Sequence, residues 1–124
     1  MKILFVEDDI DVGKMYAAQL QLDGHEVETV RTAQEALDML DAIDDFEVIV
    51  LDILLPGSNG IAVLHELQSY DDWRKIPVVV LTNVTIEDLE IGNRHLQDLG
   101  VKDYLVKMDT SPQDLSYAVA TALS

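Results

Sequence analysis

Along the chain, short apolar runs alternate with longer stretches in which apolar residues recur every three or four positions. The runs occupy residues 3–6, 27–30, 48–51, 78–81 and 104–106. Four of them are continuous or nearly so, the mark of parallel strands buried on both faces. The second reads Glu26-Val27-Glu28-Thr29-Val30-Arg31, with charges interleaved, and suits an edge strand with one wet side. Between the runs lie helical periods. A first helix over about 10–22 carries Val12, Tyr16 and Leu20 and stops at Asp23-Gly24. Ala33, Ala36, Leu37, Leu40 and Ile43 form an amphipathic stripe, opened by a capping box of Thr32 and Glu35. Ile61, Leu64 and Leu67 mark a third helix. Ile86, Leu89, Asn93, Leu96 and Leu99 mark a fourth, capped by Thr85 and stopped by Gly100. In the fifth, Ser111 caps, Pro112 fits the first turn, and Leu115, Ala118, Val119 and Ala122 face inward. Strand–helix units repeated in this way predict an α/β fold, a five-stranded parallel sheet doubly wound with helices on both faces.

Length adds that 124 residues make one domain, over 1–124. With no cysteine, disulfides, thiolate metal sites and cysteine nucleophiles are excluded. The N-terminal apolar run meets Glu7-Asp8-Asp9 too soon for a signal peptide, and no stretch approaches the roughly 20 apolar residues of a membrane span. A cytoplasmic location is expected. The 24 acidic residues against 8 basic give a net charge of −16, which repels phosphate backbones and anionic lipid. Direct nucleic-acid or membrane binding is therefore not expected. Most of this acidity serves solubility, but some of it gathers at strand ends.

In a parallel sheet, chemistry collects at the carboxyl ends of the strands. Glu7 and Asp8 follow the first strand and Asp52 follows the third; the fourth ends at Thr82 and the fifth at Lys107. If the first and third strands are neighbours, three carboxylates share one crevice, which is costly unless compensated. A divalent cation and one lysine balance the three charges. Without His or Cys nearby the cation should be hard: Mg²⁺ fits, and Mn²⁺ could substitute. Asp52 then reads as a nucleophile toward phosphorus, with Lys107 and the Thr82 hydroxyl serving the transferring group. Taken singly, each residue has a plainer reading, as a turn former, a cap or a solvated lysine. The joint pattern favours chemistry.

These residues resemble the receiver domains of two-component response regulators. The likeness rests on Val6-Glu7-Asp8-Asp9, the segment from Leu51-Asp52 to Leu55-Pro56-Gly57-Ser58-Asn59-Gly60, Pro77 to Thr82, and Asp103-Tyr104-Leu105-Val106-Lys107. It implies a flavodoxin-like sheet of order 2-1-3-4-5 and a phosphoacceptor at Asp52. It also implies Asp8 as direct Mg²⁺ ligand, Glu7 acting largely through water, and a backbone carbonyl from Leu54. Thr82 and Tyr104 would form the switch pair. The expected phosphoryl donor is a histidine kinase or histidine phosphotransfer protein, with a downstream protein target left open. The chain is not expected to be an enzyme beyond assisting its own phosphorylation and dephosphorylation. It reads either as a single-domain regulator or as part of a longer one.

Three departures carry expectations of their own. Met108 stands where the family usually has a proline joined by a cis peptide. Since a non-proline cis bond costs roughly 3 kcal/mol, either a rearranged trans turn or a strained cis bond must present Lys107. Asn83 replaces a small residue beside the site, so a bulkier amide would narrow donor access and slow phosphotransfer relative to Asn83→Ala. Leu54 and Val84 flank the phosphoryl position without polar groups to orient water, which predicts slow self-dephosphorylation. The stretch from Thr82 to Gly100 reads as about one helical turn longer than usual, either a longer fourth helix without consequence or an altered partner surface. Trp73 reads as partly exposed, and His25, His65 and His95 as scattered surface residues. Two rivals remain: a phosphorylation-independent pseudo-receiver, and a Mg²⁺-dependent phosphohydrolase. The second lacks the general acid–base carboxylate that haloacid-dehalogenase-like enzymes carry where Leu54 stands.

Overall fold

The computed structural model describes residues 1–123. The elements run β1 (Lys2–Val6), α1 (Ile10–Leu22), β2 (Glu26–Val30), α2 (Ala33–Ala42), β3 (Val48–Leu51), β4 (Leu54–Leu55) and β5 (Ser58–Asn59). They continue with α3 (Gly60–Gln68), β6 (Val78–Thr82), α4 (Ile86–Leu89), α5 (Asn93–Asp98), β7 (Val101–Val106), a 3₁₀ turn (Lys107–Asp109) and α6 (Pro112–Ala122). The main sheet is parallel, in the order β2-β1-β3-β6-β7. With the two-residue β4–β5 hairpin set aside, this is the expected 2-1-3-4-5.

Alternation along the buried strands divides the core in two. Leu4, Val6, Ile49, Leu51, Val78 and Val80 face the side covered by α2, α3 and α5. Ile3, Phe5, Val48, Val50, Val79 and Leu81 face α1 and α6, where Tyr16, Leu20, Leu115 and Val119 close the layer. The strand period of two makes this division unavoidable once both faces are covered. β2 is an edge strand, mostly exposed or half-buried, as its interleaved charges require.

Three local expectations are corrected, and the segment after Asp52, open to reading as a tight turn, takes a definite form. The fifth strand of the main sheet begins at Val101, not Tyr104, because β7 pairs with β6 from Val101 to Val106, with a register shift that leaves Lys102 unpaired. The fourth helix is not continuous: α4 ends at Leu89, its C-cap Glu90 adopts a left-handed backbone (φ 59°), and α5 starts after Gly92. In an unbroken helix Leu89 and Ile91 would point nearly opposite ways, whereas the break lets both pack against the core. Thr32 accepts from the Glu35 N–H without a returning bond, and the complete capping box stands at Ser111 and Asp114 instead. Finally, the residues after Asp52 fold as the β4–β5 hairpin, with Gly57 at φ 69° following Pro56 in the turn.

Candidate functional site: an acidic cluster at the carboxyl end of the sheet

β1 and β3 are adjacent, so the residues that follow them meet. One carboxylate oxygen each from Glu7, Asp8 and Asp52 lies within 4.8 Å of the others. Glu7 and Asp52 are buried, 1% and 4% exposed, and Asp8 is half-buried. Backbone N–H groups help set Glu7 and Asp52. Glu7 Oε2 accepts the Asp9 N–H at 3.1 Å, and Asp9 then caps α1 by accepting from Val12 at 3.0 Å. Asp52 Oδ1 accepts the Leu54 N–H at 3.0 Å, an Asx turn that starts the hairpin. The Arg31 guanidinium donates to the Asp8 carbonyl at 3.3 Å.

Lys107 enters from the far edge strand. Its Nζ lies 2.6 Å from Asp52 Oδ2 and 2.6 Å from Glu7 Oε1. The first contact is a hydrogen bond. The second is an ion pair off the hydrogen-bonding direction, and Glu7 Oε1 has no other partner. Burial therefore pushes Glu7 up from the usual carboxylate range, with the Lys107 contact opposing it. Burial alone would push Lys107 down, but its contacts with Asp52 and Glu7 outweigh that and raise it. A buried carboxylate oxygen partnered only by the lysine, beside two more carboxylates, suits a hard divalent cation, which takes oxygen ligands and supplies the missing charge. The residues present thus fit Mg²⁺ or Mn²⁺.

The sequence left the geometry of the Lys107 turn undecided. Every peptide bond among the described residues is trans, that of Lys107–Met108 included, and the turn is rearranged into 3₁₀ form. Lys107 still reaches the cluster. Its carbonyl and that of Thr110 face the hydroxyl of Tyr16, which donates at 3.4 Å and 2.6 Å, respectively. Thr110 Oγ1 in turn donates to the Val106 carbonyl at 2.7 Å.

Thr82 is fully buried at the end of β6, and its Oγ1 accepts the Val84 N–H at 3.5 Å. The half-buried Tyr104 donates its hydroxyl to the Val84 carbonyl at 2.5 Å. Burial first, then the Asp52, Asp88 and Glu87 charges, pushes this phenol up to about 12, so it stays a neutral donor. Asn83 is exposed and accepts the Met108 N–H at 3.2 Å. The Leu54 side chain is 60% exposed at the mouth of the cluster.

The structure adds three residues that sequence reasoning missed. Tyr16 reads as core in an amphipathic helix, and nothing local announces its contact with a loop 94 residues on. A Cβ on Gly60 would lie 2.6 Å from the Asp52 carbonyl oxygen, so the hairpin closes under Asp52 only with glycine there. Asn59, read only as part of a turn, caps α3 by accepting from Ile61 at 2.6 Å. Away from the site, His65 and His95 are not scattered: their ring centroids are 5.8 Å apart. Trp73 is half-buried, packed against the core and against Tyr70.

Comparison with known proteins agrees with this geometry. The profile of the response regulator receiver domain matches residues 3–120. The response regulator MprA of Mycobacterium avium is 35% identical over 108 residues, covering 86% of this chain and 44% of MprA. The chain thus spans less than half the length of that relative. Among solved structures, the chemotaxis response regulator CheY4 of Vibrio cholerae superposes with a TM-score of 0.84 at 26% identity, covering 98% of this chain and 97% of that one. The Mn²⁺-bound form of response regulator Rcp1 gives 0.76 at 28% identity, covering 96% and 89%. With a matching family profile over nearly its whole length and the acidic cluster at the end of the sheet, the chain belongs to the response regulator receiver domain family.

Proposed function

We propose that this receiver accepts a phosphoryl group on Asp52 from the phosphohistidine of a histidine kinase or phosphotransfer protein. The observation that carries this reading is the placement of Asp52: buried at the end of a central strand, 2.6 Å from Lys107 and within 4.8 Å of two further carboxylates. An Asp52 carboxylate oxygen attacks phosphorus in line with the departing imidazole nitrogen. The P–N bond breaks as the aspartyl phosphate forms, and the imidazole leaves with the bonding pair. Lys107, already on the carboxylate, is in reach to neutralise charge on the transferring group. Thr82 can turn its hydroxyl from the Val84 N–H to a phosphoryl oxygen. Tyr104, held through Val84, links that rotation to the surface around α4 and β7, the proposed switch.

Glu7, Asp8, Asp52 and the Leu54 carbonyl would hold Mg²⁺, or Mn²⁺ in its place. The ion would supply charge stabilisation to the equatorial phosphoryl oxygens. Rcp1 has been solved with Mn²⁺ bound, which supports the metal choice by similarity. The net charge of −16 disfavours direct contact of these residues with nucleic acid or anionic membrane, which leaves a protein as the proposed downstream target. Among the described residues no helix is long and apolar enough to cross a membrane.

The test is incubation with acetyl phosphate and Mg²⁺, read by intact mass. One added phosphoryl group that needs Mg²⁺ and is absent from Asp52→Asn is the expected result. A folded protein that stays unlabelled under conditions that label a control receiver would instead favour a phosphorylation-independent binding module.

A further inference from the structure

The turn that presents Lys107 is held from two sides, and the two sides do different work. From α1, Tyr16 donates to the carbonyls of Lys107 and Thr110 at 3.4 Å and 2.6 Å, respectively. Within the turn, the Thr110 N–H donates to the Lys107 carbonyl at 3.1 Å. From the β6–α4 segment comes a side-chain contact, with the Met108 N–H donating to Asn83 Oδ1 at 3.2 Å. The Met108 side chain is 80% exposed, so packing does not anchor this corner. A proline at 108 would have no N–H to give, and alanine at 83 would have no oxygen to receive it. The two departures are therefore complementary: each residue supplies half of one contact.

We infer that Asn83 is a positioning residue for Lys107, holding the trans 107–109 turn against the end of β6 so that the ammonium stays on Asp52. The inference rests on the phosphoacceptor reading of Asp52 given above. It also gives the 82–84 segment a combined role. Thr82 closes the strand beside the cluster, Asn83 holds the lysine turn, and Val84 accepts the Tyr104 hydroxyl at 2.5 Å. Movement of Thr82 toward a phosphoryl group would pull on both neighbours. Lysine position and tyrosine position are thereby coupled through three consecutive residues.

This role and a steric gate at Asn83 predict different outcomes for three substitutions. Asn83→Ala removes bulk and acceptor, Asn83→Leu keeps bulk and removes the acceptor, and Asn83→Asp keeps both. In the unphosphorylated protein, the Met108 amide should exchange with solvent about five-fold faster in the Ala and Leu variants, the ratio for one net hydrogen bond. Asn83→Asp should retain its protection. With acetyl phosphate and Mg²⁺, both the Ala and Leu variants should label more slowly than the wild type, again by about five-fold. Faster labelling by Asn83→Ala, with Asn83→Leu slow, would overturn the positioning role and establish the gate. Unchanged Met108 exchange in both variants would overturn it as well. Failure of the wild type itself to label would sink the phosphoacceptor reading, while amide exchange would still report on the Asn83–Met108 contact.

Discussion

Glu7 is 1% exposed, between two other carboxylates and one ammonium, so glutamine in its place removes a charge whose burial is poorly compensated. At an effective dielectric near 20, unit charges no more than 4.8 Å apart repel by at least about 3.5 kcal/mol, and the two carboxylate neighbours act together. Lys107, 2.6 Å away, attracts by about 6 kcal/mol on the same scale. Attraction and repulsion thus nearly cancel. What remains is desolvation, the same effect that pushes Glu7 up from the usual carboxylate range. Glutamine keeps the shape and an oxygen for the Asp9 N–H. With part of the gain lost to an amide facing Lys107, Glu7→Gln should stabilise the metal-free protein at neutral pH by about 1 to 2 kcal/mol.

The pH dependence follows from the direction of the shift. A carboxyl whose folded pKa is raised holds its proton better in the folded state, so its contribution favours folding below the ordinary glutamate value near 4.3. That contribution is lost as pH rises through the raised folded value. Wild type and variant should therefore be close at the acid end of this window and separate as pH increases. Urea denaturation in EDTA, repeated across the window, measures the gap. Added Mg²⁺ should narrow or reverse it, because the ion stabilises only the chain that holds it well. A Glu7→Gln protein less stable than wild type at neutral pH in EDTA would refute the reasoning, and would mean that the Lys107 ion pair outweighs the burial cost.

Four further substitutions test other parts of the site. Gly60→Ala would place a Cβ 2.6 Å from the Asp52 carbonyl oxygen and 2.7 Å from Ile53 Cα, both backbone atoms; thermal or urea unfolding should show a loss of about 3 kcal/mol. Tyr16→Phe leaves the Thr110 carbonyl without the donor now at 2.6 Å and should cost about 1 to 3 kcal/mol in urea, with slower phosphoryl labelling as Lys107 loses support. Leu54→Asn and Val84→Glu put a polar group where water would attack the phosphorylated protein. Each should speed loss of the added mass by about five-fold, the worth of one hydrogen bond to that water, and an unchanged decay would remove the basis for a long-lived signal.

The central strands were legible because parallel strands covered on both faces leave a continuous apolar trace, as Val48–Leu51 and Val78–Thr82 do. The candidate cluster was legible for a related reason. A residue that directly follows such a strand has little freedom, so Glu7, Asp8 and Asp52 had to meet once β1 and β3 were neighbours. The break at Glu90 was not legible, because a left-handed glutamate has no local signature and Ile86, Leu89, Leu96 and Leu99 still scan as one stripe. Tyr16 was hidden by its apolar neighbours in α1. Its hydroxyl matters only through a contact that spans most of the chain.

The division between legible and hidden parts has a physical counterpart in where the structure is firmly packed. Asp52, Glu7 and Thr82 terminate strands whose side chains are almost wholly buried, so the atoms of the proposed chemistry sit on the best-packed part of the molecule. Next to them, α4 is a single turn of four residues with none buried, ended by a left-handed glutamate. It joins the cluster through the segment that holds Met108 and Tyr104. Elements with few buried contacts open at lower free energy than the core. A charge placed on Asp52 would therefore leave the strands in place and act first on the 82–84 segment and α4, the local arrangement that a phosphorylation switch requires.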